Sequence, residues 1–309
     1  MIELNGVGKT YGAVRALHDV SFAVPTGSIC ALLGHNGAGK TTAVGILSTL
    51  LRPTSGHALV AGFDVARQPD QVRASIAVTG QDASLDLVLT GRENLTLFAR
   101  LRGLRRKAAR LRADELIEQF DLARAADRPV LTYSGGMRRR IDIAASLVVA
   151  PKVLFLDEPT TGLDPRSRRD VWNLVSALSE QNVTVLLTTQ YLEEADVLSD
   201  SIVILNGGQI AARGTSEELK SLMGFAYCQV TPVSPDDLSR VAGALSDFAD
   251  VEIDHDLNTV SVPAAEGVAT LSEVFRRIDL LDVALIDISL RKPSLDEVFM
   301  HLTEPAVTP

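Results

Sequence analysis

Gly34-His35-Asn36-Gly37-Ala38-Gly39-Lys40-Thr41-Thr42, directly after the apolar run Ile29-Cys30-Ala31-Leu32-Leu33, constrains this chain more than any other stretch. It satisfies G-x-x-x-x-G-K-[ST] between an expected strand and an expected helix. In that setting backbone N–H groups and a helix N-terminus together cradle phosphate. Glycines allow the tight turn without a Cβ penalty. Lys40 reaches the β- and γ-phosphates as a point charge, and the Thr41 hydroxyl ligates the Mg²⁺ that accompanies ATP. The stretch therefore reads as a nucleoside triphosphate site in an α/β fold.

With 309 residues, 46% of them hydrophobic, the chain can build one large or two modest cores. Cys30 and Cys228 lie far apart and read as core thiols. The amino terminus has no basic region followed by an apolar core, and no run of 18 apolar residues occurs. The expectation is a chain neither exported nor membrane-spanning by itself. The formal charge of −9 is uneven, because from Ala226 onward 15 Asp and Glu face 5 Lys and Arg. That acidity marks a second domain and argues against wrapping nucleic acid.

Periodicity divides the chain into 1–222 and 226–309, with a helical subdomain at about 90–150 inside the first. Short strands fill residues 1–30, and the phosphate loop leads into a helix running to about Leu51. Residues 57–80 read as further strands. Thr90-Gly91-Arg92-Glu93 is a capping box opening a helix to Arg102. Leu111, Leu116, Ile117, Phe120 and Leu122 then recur at helical spacing. Seven Arg or Lys residues lie between Arg100 and Arg112, read as a solvated face, with anionic lipid or an acidic partner as the other possibility. Val153–Leu156 and Val183–Leu187 are continuous apolar runs, as central parallel strands require. After Gly224 the order is strand 226–230, helix 235–246, hairpin 251–262, helix 268–278 and strand 283–290. This βαββαβ order is that of a small α+β, ferredoxin-like domain, and Ser294-Leu295-Asp296-Glu297 opens a last helix.

Two further stretches carry chemistry. Leu156 leads into Asp157-Glu158, and a carboxylate ending a buried strand is expensive unless it faces a cation. Asp157 suits the Mg²⁺ shell, and Glu158 suits the general base that polarises the attacking water. Tyr133-Ser134-Gly135-Gly136-Met137, ahead of Arg138-Arg139-Arg140, places a small glycine-rich turn at a helix start, a second anion site with a serine donor.

Taken with the loop and the carboxylates, this stretch resembles the signature of the ATP-binding-cassette (ABC) transporter family, and residues 1–220 match that family in order and spacing. The resemblance implies a P-loop ABC ATPase core with added antiparallel strands and a helical subdomain. It implies a homodimer in which the signature of one cassette (Ser134, Gly135, Gly136) closes over the γ-phosphate held by the loop of the other. It also implies that Tyr11 stacks on adenine, that Gln81 contacts Mg²⁺ and the lytic water, and that Asp164 communicates across the dimer. Three departures stand out: Tyr133 for the usual Leu, Met137 for the usual Gln, and Gln190 where the family places a γ-phosphate-sensing histidine. An amide can donate a hydrogen bond but carries no proton. Gln190 is either an adequate neutral sensor or the mark of slow turnover.

Gln190, the Tyr-Ser-Gly-Gly-Met signature and the ending Lys292-Pro293-Ser294-Leu295-Asp296-Glu297-Val298-Phe299 are similar to the daunorubicin-resistance class of bacterial drug-export ATPases. That resemblance implies a separate transmembrane permease, a peripheral place on the cytoplasmic face of the membrane, and export of a hydrophobic drug. Export of a lipid, polysaccharide or other compound stays open. A non-transport cassette ATPase acting on ribosomes or nucleic acid is the lesser alternative, since those usually carry two cassettes in one chain or long coiled-coil insertions, and this sequence has neither.

Overall fold

The continuous apolar runs become the centre of a six-stranded sheet. The computed structural model describes residues 1–80, 85–224 and 226–303, and the chain divides into two units, Met1–Ser216 and Glu217–Pro309. In the first, the strand order is Gln209–Gly214, Ser201–Asn206, Ile29–Leu33, Thr184–Thr189, Val153–Asp157, Ile76–Thr79. All neighbours are parallel except the Gln209–Gly214 edge. Leu154, Phe155, Leu156, Leu186 and Leu187 are fully buried, which both-face coverage demands and which explains the absence of alternation in these runs. Register then places the chemistry. Leu33 pairs with Thr189, and Asp157 with Thr188, so the phosphate loop, the acidic pair and Gln190 leave the carboxyl ends of three adjacent strands side by side.

A second, antiparallel sheet orders Val14–Val24, Ile2–Tyr11, Ser55–Val60 and Phe63–Asp64. Helix Lys40–Leu47 shares one core cluster with residues of both sheets, including Leu4, Phe22, Leu32, Phe155 and Leu186. Burying each such side chain contributes about 1.5–3 kcal/mol. The helix ends at Leu47 rather than near Leu51. Among residues 57–80 the strands are interrupted by helix Pro69–Ser75, which opens on Pro69 with Asp70 in its first turn. Two turns give too little periodicity to register as a helix in sequence.

Helices Gly91–Leu101, Arg106–Gln119 and Gly135–Ser146 pack together over the stretch expected as a helical subdomain. The Thr90 capping box is complete: the Glu93 N–H donates to Thr90 Oγ1 at 3.2 Å and the Thr90 N–H to Glu93 Oε2 at 2.9 Å. Arg92 joins helix to helix, pairing with Asp114 and, at 2.7 Å, with Asp127. The second helix packs through Ala109, Ala113, Leu116 and Ile117, whereas Leu111 is 56% exposed. Small alanines thus set the buried stripe, one face away from where Leu111 pointed. Arg105, Arg106, Lys107 and Arg110 are exposed.

In the second unit, Glu252–Asp254, Thr259–Pro263, Tyr227–Pro232 and Leu285–Arg291 lie in that order in an antiparallel sheet. Leu238 and Val241 of helix Leu238–Ala244, with Val274 and Ile278 of helix Val268–Asp279, close a core on Cys228, Val230, Val260 and Val262. The helix expected over 235–246 is split into a 3₁₀ turn, Pro235–Asp237, and Leu238–Ala244. Ser294 and Glu297 bond reciprocally at 3.2 Å to open helix Leu295–Thr303.

Candidate active site

At two positions of the phosphate loop the surroundings leave no room for a β-carbon. Gly34 sits where a Cβ would lie 2.6 Å from the Leu205 carbonyl oxygen, and Gly39, at φ +109°, where it would lie 2.7 Å from Leu17 Cδ2 and 2.8 Å from the Ala16 carbonyl oxygen. Helix Lys40–Leu47 starts at Gly39 with no side-chain cap and no acid in its first turn. Its leading N–H groups have no intrahelical acceptor, so the terminus suits an anion. Lys40 is 6% exposed, and its Nζ donates to Gly34 O at 2.6 Å and His35 O at 3.2 Å. Burial lowers its pKa while Glu158 and Asp157 oppose that shift, which places both carboxylates within electrostatic reach of the lysine. His35, Asn36, Gly37 and Thr41 are exposed, Thr42 is half-buried and Ala38 is buried. The donor set and glycine cradle fit a triphosphate.

Asp157 and Glu158 are fixed from the neighbouring strand. The Thr188 hydroxyl donates to Asp157 Oδ1. The Glu158 N–H donates to Thr188 O and Oγ1, each at 3.1 Å. Glu158 lies at φ +46°, left-handed backbone rare for a side chain of this size. Its carboxylate accepts from Gln190 Nε2 at 2.8 Å and from Thr161 Oγ1 at 3.2 Å. The amide therefore sits directly on the acidic residue, as a neutral donor that leaves the carboxylate charge in place.

The glycine-rich signature packs against the segment that follows the carboxylates. Ser134 caps helix Gly135–Ser146, its Oγ accepting from Met137 N–H at 3.3 Å. A Cβ at Gly136 would meet Ser167 Oγ at 2.4 Å, and Asp164 caps the helix Pro165–Glu180 while accepting from Ser167 Oγ at 2.7 Å. A cleft of about 270 Å³ lies between Gly135, Arg138, Glu158, Thr161 and Leu163. Among the described residues, no hydrogen bond or ion pair joins 134–136 to the phosphate loop. Tyr133 has a physical account: its hydroxyl donates to Ala125 O at 2.6 Å, and its ring fills the space beside Gly91, where a Cβ would lie 2.3 Å from the phenolic oxygen.

Tyr11 ends strand Ile2–Tyr11, 45% exposed, with Lys9 Nζ 5.0 Å from its ring centre. Gln81 lies outside the described residues. Two residues that sequence reasoning passed over are built into the site. Arg139 donates to the backbone oxygens of Pro159 and Gly80 at 2.8 Å and of Asp157 at 3.1 Å, tying the signature helix to the acidic strand end. The run of three arginines was its only trace in sequence.

Glu194, on helix Leu192–Leu198, is completely buried, and Oε1 accepts from Thr160 Oγ1 at 2.9 Å and Trp172 Nε1 at 3.0 Å. Burial raises its pKa above the usual carboxylate range, against the hydrogen bonds from Thr160 and Trp172 and the charge of Arg168; Arg139 also faces it electrostatically. The folded state thus binds more protons than the unfolded chain from the ordinary carboxylate range upward. This group's contribution to stability is fullest below that range and declines as pH rises through the interval. Glu194→Gln should therefore gain thermal stability relative to wild type between acidic and neutral pH. A difference in unfolding temperature that does not change with pH would contradict this.

Comparison with known proteins agrees with the geometry. The model of the ABC transporter family matches residues 17–161, and the chain belongs to that family, whose ATP-binding subunits bind and hydrolyse nucleotide. It is 52% identical to the Doxorubicin resistance ATP-binding protein DrrA of Mycobacterium tuberculosis, over 98% of this chain and 93% of that one. It is 47% identical to the Daunorubicin/doxorubicin resistance ATP-binding protein DrrA of Streptomyces peucetius, over 98% and 92%. Among solved structures, an ATP binding subunit of an ABC transporter is 30% identical at TM-score 0.65, over 72% of this chain and 93% of that one. The dimeric post-hydrolysis cassette MJ0796 bound to ADP and Pi is 26% identical at TM-score 0.63, over 70% and 98%.

Proposed function

We propose that the chain is the ATP-hydrolysing subunit of a bacterial exporter that removes a hydrophobic drug through a separate membrane permease. The observation that carries the reading is the convergence of Lys40, Asp157, Glu158 and Gln190 at the carboxyl ends of three adjacent strands. The resistance proteins to which it is similar over nearly its whole length supply the cargo class.

In this reading Gly34–Thr42 wraps the phosphates and Tyr11 stacks on adenine. Thr41, Asp157 and Gln81 hold Mg²⁺, which supplies charge neutralisation when bound. Glu158 takes the proton of the attacking water and Gln190 orients it. Ser134, Gly135 and Gly136 of one copy meet the γ-phosphate held by the loop of a second, with Asp164 relaying between copies. The dimeric cassette similar to this chain supports a homodimer. Among the described residues no helix is long and apolar enough to cross a membrane; the similarity to resistance ATP-binding proteins is what supports a peripheral subunit on the cytoplasmic face, working with a membrane partner.

We take residues 1–222 as the ATPase domain and 226–309 as an accessory domain, a partition supported by the two units of the chain. The antiparallel order of the sheet in the second unit, with a helix after its first and third strands in sequence, supports a ferredoxin-like reading of the accessory domain.

Purifying Glu158→Gln with ATP from solubilised native membranes tests the proposal. Stoichiometric recovery of a polytopic membrane protein without its own cassette is expected. Ribosomes, or a soluble dimer alone, would sink it.

A further inference from the structure

A buried carboxyl group is an expensive way to fill space, since an apolar side chain of similar volume packs without desolvation. Glu194 is nevertheless inaccessible to solvent, as is its partner Thr160, and Trp172 is 7% exposed. What the carboxyl supplies, and an apolar residue cannot, is one acceptor for two donors on two different segments. Thr160 stands two residues beyond Glu158. Trp172 belongs to helix Pro165–Glu180, which Asp164 caps. Glu194 itself sits in the first turn of the helix that follows Gln190.

These bonds close a ring. Gln190 Nε2 donates to Glu158 at 2.8 Å, the chain runs from Glu158 through Pro159 to Thr160, Thr160 donates to Glu194 at 2.9 Å, and a short stretch of backbone returns to Gln190. A second strut lies alongside, with the Arg168 guanidinium 4.4 Å from the ring centre of Tyr191 and its Nη1 3.8 Å from Glu193 Oε2. Arg168 belongs to the helix that carries Trp172, and Tyr191 and Glu193 stand at the start of the helix that carries Glu194. The Tyr191 N–H donates to Thr189 Oγ1 at 3.0 Å, so the turn holding Gln190 is gripped on each side.

We propose that Glu194 is a positioning residue for hydrolysis: it holds the Gln190 turn, the segment after Glu158 and the helix behind Asp164 in one register, keeping the amide on the carboxylate. The inference rests on the assignment of Glu158 and Gln190 made above. A movement of either residue when nucleotide binds is transmitted through Glu194 to Trp172. Trp172 is the single tryptophan of the chain, so tryptophan emission comes from this one side chain, which is bonded to Glu194.

The test compares full-length wild type with Glu194→Ala, Glu194→Gln and Thr160→Val, reading kcat and KM for ATP together with the Trp172 emission change on adding Mg-ATP. Glu194→Ala is expected to lower kcat about tenfold at a KM within about twofold of wild type, and to abolish the emission response. Gln keeps the acceptor oxygen, so Glu194→Gln should retain most of kcat and the response. Thr160→Val loses one donor at nearly constant shape and should fall between them. It also serves if Glu194→Ala does not fold. Wild-type kcat and emission response in Glu194→Ala or Thr160→Val overturns the inference, and so does an equal fall for Ala and Gln. Glu158→Gln measured in parallel separates the two readings. Its collapse beside an unaffected Glu194→Ala overturns this inference alone, whereas wild-type turnover in Glu158→Gln overturns the assignment beneath it.

Discussion

Glu158→Gln is expected to hydrolyse ATP at least ~10²-fold more slowly than wild type while still binding it. Glutamine has the same length, keeps an oxygen to accept from Gln190 Nε2, and leaves the left-handed backbone unchanged. What it loses is the basic lone pair that takes a proton from water. Gln190→Ala removes only a neutral donor, so its turnover should stay within about tenfold of wild type. Initial rates of phosphate release for both variants decide the matter. An equal collapse would show that the amide and the carboxylate act as one unit rather than as orienter and base.

Gly39→Ala is expected to weaken ATP binding at least ~10²-fold, because left-handed backbone under a β-carbon costs about 1–3 kcal/mol and the overlap adds to it. At φ +109° the new carbon would stand 2.7 Å from Leu17 Cδ2 and 2.8 Å from the Ala16 carbonyl oxygen. The leucine tip can rotate away, but the carbonyl belongs to a paired strand and cannot. Gly37→Ala is the internal control. Its φ of +85° carries a similar backbone penalty, yet nothing lies within 4 Å of the added carbon, so it should lose distinctly less affinity. Calorimetric titration of both with ATP, beside their unfolding temperatures, separates lost binding from lost folding. Equal affinities for the two variants would show that the overlap has no effect on the loop.

The phosphate loop was readable because all its parts are contiguous, nine residues whose types are dictated by a single anion. The acidic strand end was readable for a related reason, since an apolar run that stops at two carboxylates advertises a cation. What brings them together was not readable. The pairing of Leu33 with Thr189 and Asp157 with Thr188 joins strands far apart in sequence, and nothing local encodes it. Glu194 and Arg139 escaped notice because a buried charge looks the same in sequence as a solvated one. Their burial is decided by neighbours such as Trp172 and the Pro159 carbonyl. Leu111 misled in the opposite sense: hydrophobicity suggested packing, but the alanines at 109 and 113 allowed closer approach and took the interface. The Pro69–Ser75 helix was too short for its period to stand out.

The left-handed backbone at Glu158 has a consequence for anyone who breeds this protein for hardiness. Glycine or asparagine would accept that conformation at less energetic expense, so a library screened for heat resistance alone should drift toward them at position 158. Its sturdiest survivors would be inert. Robustness and turnover compete at this one residue, and a selection that does not demand catalysis in the same round would discard it first.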